Sequence, residues 1–376
     1  MKLRLLILIC FFTIGLSAQK DTIRDAGPTR LYAGANVQYG FFWTHRYNMG
    51  HLVKKHLTAF EIDLSKRGGK EIATDKPYHY PFFGVAIHVI PLGNPEEMGT
   101  AIGVYPFINF PLGNRKRNFK MHFRLGYGLG YITKPFDPLN NHKNVAIGSH
   151  LNCCMSMRFN GMWKLNDNNY LEFGLGMTHF SNGASKLPNL GINLPLVDIG
   201  FHHAIFENKR PHDAYEIPDK KLVHTQEIMA ERNWQFCLTL NAGFNDTDPP
   251  GGNRYIVLNI QSSAMRQVSR KHKWGGGLDL MYSDALKHKL ADDGVDASFV
   301  QNMQPGAKVA YELVVGRVSF PIEMGVYIYS RYKNFVPVFN RFAVHYLVND
   351  HLLFNFAIKT HLARAEYFEY GIGWRF

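Results

Sequence analysis

After its N-terminal segment the sequence has no run of about 18 consecutive apolar residues, which excludes a transmembrane helix. Cysteine is scarce. Of the four present, Cys10 lies in the N-terminal apolar run, leaving Cys153, Cys154 and Cys237. An odd number argues against a disulfide framework, and adjacent Cys153 and Cys154 on a strand would point to opposite faces. Acidic residues are also few, 30 against 42 Lys and Arg, giving a net charge of +12. Metal-ligand patterns are missing too. The run Asn245-Asp246-Thr247-Asp248 precedes Pro-Pro-Gly-Gly and lacks the further oxygen ligands of a calcium loop, so it reads as a turn. His202 and His203, adjacent on a strand, would point apart. No metal site and no cofactor are expected.

The chain begins MKLRLLILICFFTIGLSA, with Lys2 and Arg4 before an apolar run and small residues at Ser17-Ala18. Residues 1–18 have the form of a secretory signal peptide, with no lipid-anchor context at Cys10. Export makes nucleic acid an improbable partner for the basic charge and leaves the phosphate-rich surface of a lipid leaflet.

Aromatic residues, by contrast, are abundant: 28 Phe and 19 Tyr, with a C-terminus reading Tyr-Gly-Ile-Gly-Trp-Arg-Phe. In 120–133, Met121, Phe123, Leu125, Tyr127, Leu129 and Tyr131 share one face of a strand. Lys120, His122, Arg124, Gly126, Gly128 and Gly130 share the other. Period-two alternation of this kind, many times repeated in an exported chain with a terminal aromatic, predicts an all-β, antiparallel, transmembrane outer-membrane barrel. Its apolar face meets lipid, its polar and glycine face lines the lumen, and the glycines suit tight curvature. The expected location is the cell outer membrane.

Eight strands are predicted near 31–44, 52–66, 81–92, 99–110, 119–133, 146–162, 169–181 and 191–206. Eight more are predicted near 232–245, 253–266, 273–284, 306–317, 319–331, 337–348, 351–362 and 366–376. Between them the polar stretch 207–231 reads as a linker with a short helix after Pro218. The organisation is thus a barrel unit at 30–206 and a second half at 232–376. Whether they close as two small barrels or one of about sixteen strands is left open, as is the oligomeric state. "GLGMTHFSNGA" and "FAIKTHLARAE" suggest an old duplication. The second copy keeps His361 but has Ala363 where the first has Ser181, which predicts a catalytically inert, wall-building half.

The candidate site lies in NYLEFGLGMTHFS. Alternation puts His179 and Ser181 on the apolar face with Leu171, Phe173, Leu175 and Met177, while Glu172 faces the lumen. Polar groups facing hydrocarbon are costly unless they bond each other or lie at the interface. An i, i+2 pair on one face can bring a nucleophile to a base. In the next strand Asn193 shares the outward face with Val197, Ile199 and Phe201, and Asp198 is excluded by the same parity. The Gly- and Asn-rich turn between the strands could supply backbone donors to an oxyanion. Against this stands a plainer reading, a histidine and a serine capping a strand end.

The run His179-Phe180-Ser181-Asn182-Gly183, followed by Pro188-Asn189 and Asn193, resembles the lipid A 3-O-deacylase (PagL) family over about residues 30–206. That resemblance implies an eight-stranded outer-membrane barrel acting on lipid A of lipopolysaccharide. Ser181 would be the nucleophile and His179 the general base, with Asn182, Gly183 and Asn189 as oxyanion or positioning groups. Asn193 occupies the third position, where that family usually has Glu. Asn can orient a histidine but adds no charge to stabilise an imidazolium. Outer-membrane phospholipase A is also similar and uses Asn as third member. However, the Arg that follows its motif, linked to calcium, is replaced here by Ala184 and Ser185. A phospholipid hydrolase and a non-catalytic porin or structural barrel stand as the alternatives.

Overall fold

The computed structural model describes residues 31–376 apart from 68–77, 79–80, 113–117, 206–233, 248, 297, 333–335 and 363. The expected signal peptide at 1–18, the whole linker at 207–231, Asp248 and Ala363 lie outside the described residues. The first eight strands are β1 (Leu31–Gly40), β2 (Leu57–Arg67), β3 (Phe82–Pro91), β4 (Thr100–Leu112), β5 (Phe119–Ile132), β6 (Leu151–Lys164), β7 (Asn169–Ser181) and β8 (Ile192–Ala204). The rest are β9 (Trp234–Asp246), β10 (Arg254–Gln267), β11 (His272–Ser283), β12 (Gln304–Val315), β13 (Val318–Tyr327), β14 (Val338–Leu347), β15 (Leu352–His361) and β16 (Arg364–Arg375). Each strand pairs antiparallel with its neighbours. β8 returns to β1 and β16 returns to β9, so the chain forms two closed eight-stranded barrels rather than one of sixteen. No helix of the described residues is long and apolar enough to cross a membrane. One short helix, α1 (Asp284–Asp292), lies between β11 and β12.

The alternation read from the sequence sorts side chains as expected for a barrel in lipid. Phe60, Ile62 and Leu64, Phe173 and Leu175, Val197, Ile199 and Phe201, and Ile256, Leu258 and Ile260 are exposed on the outer wall. Charged residues fill the interior. In the first barrel, Arg124 and Arg158 reach Glu61 at 3.0 and 2.8 Å, Tyr105 donates to the same carboxylate, and His202 meets Glu172 at 3.0 Å. In the second, Arg341 lies 2.7 Å from each of Asp279, Glu323 and Glu369, and Lys308 lies 3.0 Å from Asp279 and Glu323. Such buried ions persist because each is paired; removing one partner strands the others in a low-dielectric interior.

The interior departs from a uniformly polar lumen in one respect. At the rim away from the chain ends, the first barrel is stoppered by an apolar cluster that includes Phe42, Met49, Leu52, Met98, Ile147, Phe180, Ile192 and Leu194. This explains two differences from the predicted strand limits. Leu52 belongs to a 3₁₀ turn before β2, and Ala146 and Ile147 fold into the stopper instead of extending β6. It also gives the lumenal glycines a steric reason: a Cβ on Gly130 would meet the Phe180 ring at 2.6 Å, and one on Gly126 would meet Tyr105 at 2.5 Å.

The barrels stand side by side with the same polarity. At the rim of the chain ends, Tyr78 donates to the Val314 carbonyl at 2.6 Å. Midway, the Tyr127 and Phe356 rings pack at 5.2 Å. At the far rim the β7–β8 loop touches Asp246.

Candidate functional site

β7 reaches the far rim with His179 and Ser181 on its outer face, and β8 leaves it with Asn193 directly opposite His179 in the register. His179 Nδ1 lies 2.7 Å from Asn193 Oδ1. The amide's other end, Nδ2, lies 3.0 Å from Nδ1 of His45, in the loop after β1. In this placement Oδ1 can only accept and Nδ2 can only donate, so the proton of the first contact is on His179 Nδ1 and His45 Nδ1 is the acceptor of the second. Asn193 therefore accepts from His179 Nδ1–H, leaving Nε2 with a free lone pair. A ring so arranged can take a proton.

Ser181 is covered, at 6% exposure, by the loop that follows it. Its Oγ lies 3.2 Å from Asn189 Oδ1 and 3.1 Å from Asn189 Nδ2, and the Gly183 amide donates to it at 3.1 Å. Among the described residues no direct hydrogen bond joins Ser181 to His179. The two share a strand face but the hydroxyl is turned toward Asn189. Asn189 Oδ1 also accepts from the Asn182 amide at 3.0 Å. Asn182 Nδ2 is committed to Ser149 Oγ at 2.8 Å and to the Lys186 carbonyl at 2.7 Å. Its side chain thus shapes the loop, while Gly183 and Asn189 touch the hydroxyl itself.

The loop owes its form to local sequence. Gly183 and Ala184 both sit at left-handed φ, +62° and +60°, and the turn closes through Ser185 N to Asn182 O at 3.2 Å. Glycine takes this conformation freely; alanine does so at a cost of about 1 kcal/mol, so Ala184 must be held from outside. The loop's return arm is held from the β5–β6 side: Ile147 bridges Asn189, and the Gly191 amide donates to the Ala146 carbonyl at 2.9 Å.

Two contributors were not singled out in the sequence, His45 and Ser149. His45 is separated by 148 residues from the Asn193 it contacts, and Ser149 by 33 from Asn182. Neither sits in a motif that would mark it. Glu172 and Asp198 face the lumen beside Arg158, as their parity predicted. His202 likewise points inward to Glu172, whereas His203 contacts Asn169 at 2.7 Å, so the two do not converge. His361 contacts Tyr327 OH inside the second barrel at 2.8 Å. No cluster of metal-binding side chains occurs among the described residues. Cys153, Cys154 and Cys237 are free thiols.

Comparison with known proteins gives two family matches: "Lipid A 3-O-deacylase (PagL)" over residues 13–202 and "Acyloxyacyl hydrolase, C-terminal domain" over residues 234–376. No curated protein matches. Solved structures align along most of the chain at negligible superposition. A Rhodopseudomonas blastica porin triple mutant is 7% identical, covering 93% of this chain and 99% of its own, with TM-score 0.17. An outer membrane channel from Pseudomonas putida F1 is 8% identical, covering 95% and 99%, with TM-score 0.19. Likeness that weak carries no argument here. The family matches do: between them they take in both barrels, and the chain belongs to the lipid A 3-O-deacylase (PagL) family of outer-membrane β-barrel hydrolases.

Proposed function

We propose that the protein is a serine esterase that removes the ester-linked 3-acyl chain from lipid A, with Ser181 as nucleophile, His179 as general base and Asn193 as the group that orients it. The observation that carries this reading is the His45–Asn193–His179 chain beside a serine whose Oγ already receives a backbone amide. With β1 leaving the periplasm, the rim that bears the site faces the outer leaflet, where lipopolysaccharide lies. The exposed apolar belt below it would hold the acyl chains.

Attack requires Ser181 Oγ to turn from Asn189 toward His179 Nε2; apo sites often hold such contacts open until substrate binds. Nε2 takes the hydroxyl proton as Oγ attacks the ester carbonyl. The tetrahedral oxyanion forms against the Gly183 amide and Asn189 Nδ2, the two donors already grouped around the nucleophile. As the carbonyl–alkoxy bond breaks, His179 gives its proton to the departing 3-hydroxyl of the sugar. Water then attacks the acyl-serine, losing a proton to His179, and the fatty acid and free Ser181 are released. No cofactor enters.

A second reading, acyl hydrolysis of phospholipid, draws on Asn193 itself, since an amide in the third position is that family's habit. A porin is disfavoured by the interior: Glu61 and Arg124 are 1% exposed and Arg158 3%, whereas a water-filled channel would wet them. The test is phosphonylation of the refolded protein by an alkyl fluorophosphonate, located by peptide mass spectrometry. The adduct is expected on Ser181 and is expected to vanish in His179→Ala. An unlabelled Ser181 in folded protein would sink the esterase reading.

A further inference from the structure

The sequence suggests a second barrel that serves only as wall, yet the 182–191 loop leans on it at three points. The Asp246 amide donates to the Ala184 carbonyl at 3.0 Å. The Leu187 amide donates to Asp246 Oδ2 at 2.8 Å, across 59 residues of chain. A Cβ on Gly183 would lie 2.4 Å from the Phe368 ring, so that ring is seated against the Gly183 backbone. Asp246 is the last residue of β9 and is buried, with Oδ1 accepting the Thr247 amide at 2.8 Å. Phe368 has the outward parity of Tyr370 on β16, yet it is buried, and Phe356 packs on it at 5.3 Å.

These contacts bear on the part of the loop that matters. Ala184 holds a left-handed backbone that a non-glycine residue adopts only when its surroundings impose it. Its carbonyl is the one taken by the Asp246 amide, and the residue before it supplies the N–H that meets Ser181 Oγ. A carboxylate accepting a backbone amide makes a charge-assisted hydrogen bond, among the stronger fixings open to a loop.

We propose that Asp246 is a positioning residue of the esterase site: by gripping the loop at Leu187 and Ala184, the second barrel holds the Gly183 amide where the oxyanion forms. This rests on Ser181 being the nucleophile. It makes the catalytic unit the two-barrel chain rather than the first barrel alone.

The test compares full-length wild type with Asp246→Ala and Asp246→Asn, in detergent with lipopolysaccharide. Hydrogen exchange reads the loop, and kcat and KM read the chemistry. For Asp246→Ala, faster exchange at 183–187 is expected with the barrel strands still protected. With it should come a fall in kcat of roughly 10- to 100-fold, since small misplacements of a catalytic group cost up to that much. KM should be unchanged. Asp246→Asn keeps an acceptor oxygen and should recover kcat to within about threefold, which loss of general stability would not do. Unchanged loop exchange in both variants overturns the proposal whatever the activity. Looser exchange with wild-type kcat overturns its catalytic consequence. A wild type that shows no Ser181-dependent activity overturns the esterase reading, and the catalytic role assigned to Asp246 falls with it.

Discussion

Replacing Asn193 with alanine isolates the one contact that turns a strand-face histidine into a base. His179 Nδ1 and Asn193 Oδ1 are 2.7 Å apart, and His179 is half-buried beneath the loop. Removing the amide leaves Nδ1–H without its partner, at about 1–3 kcal/mol. Because the contact strengthens as the ring gains charge, most of that cost falls on the transition state. At about 1.4 kcal/mol per tenfold, kcat should drop roughly 5- to 100-fold with KM little altered. Asn193→Asp tests the converse. A carboxylate there makes a charge-assisted bond about twice as strong as the neutral one, so about 1 kcal/mol, or roughly fivefold in kcat, should be gained. The assay is initial-rate release of fatty acid from lipopolysaccharide, followed by mass spectrometry. Asn193→Ala with wild-type kcat would refute the orienting role. A rise in KM alone would make Asn193 a substrate contact.

Other consequences are open to the same methods. His45→Ala removes the acceptor that pins Asn193 Nδ2 and frees the amide to flip; a three- to tenfold loss of kcat is expected, on the order of one neutral hydrogen bond. Gly183→Ala puts a Cβ against the Phe368 ring at a φ of +62°, so kcat should fall at least about tenfold while the barrels, judged by circular dichroism, persist. Arg341→Leu leaves Asp279, Glu323 and Glu369 facing one another without their shared cation. It should lower stability in urea by about 3–5 kcal/mol, and a wild-type midpoint would contradict the account of the lumen.

The strand pattern was legible because lipid and lumen impose opposite chemistry on alternate residues, as 120–133 illustrates. The outward parity of His179, Ser181 and Asn193 followed from the same rule. Closure was not legible. It depends on whether β8 meets β1 or β9, a pairing between segments far apart that no local pattern encodes. Nor was the apolar stopper, since Ala146 and Ile147 read equally well as the start of a strand until the loops they pack with are in place. In the site, Ser181 was expected to face hydrocarbon; instead Asn189 folds over it. His45 and Ser149 carry no motif, Asp246 read only as part of a turn, and only the fold brings the three to the site.

The most direct measurement is the mass spectrum of lipid A after lipopolysaccharide is incubated with the refolded wild type and with Ser181→Ala, alongside a phospholipid control. The account predicts loss of a single ester-linked 3-acyl chain with wild type and none with the variant. Fatty acid released from phospholipid but not from lipid A would contradict the substrate, and no Ser181-dependent product from either lipid, with both proteins folded, would contradict the enzyme.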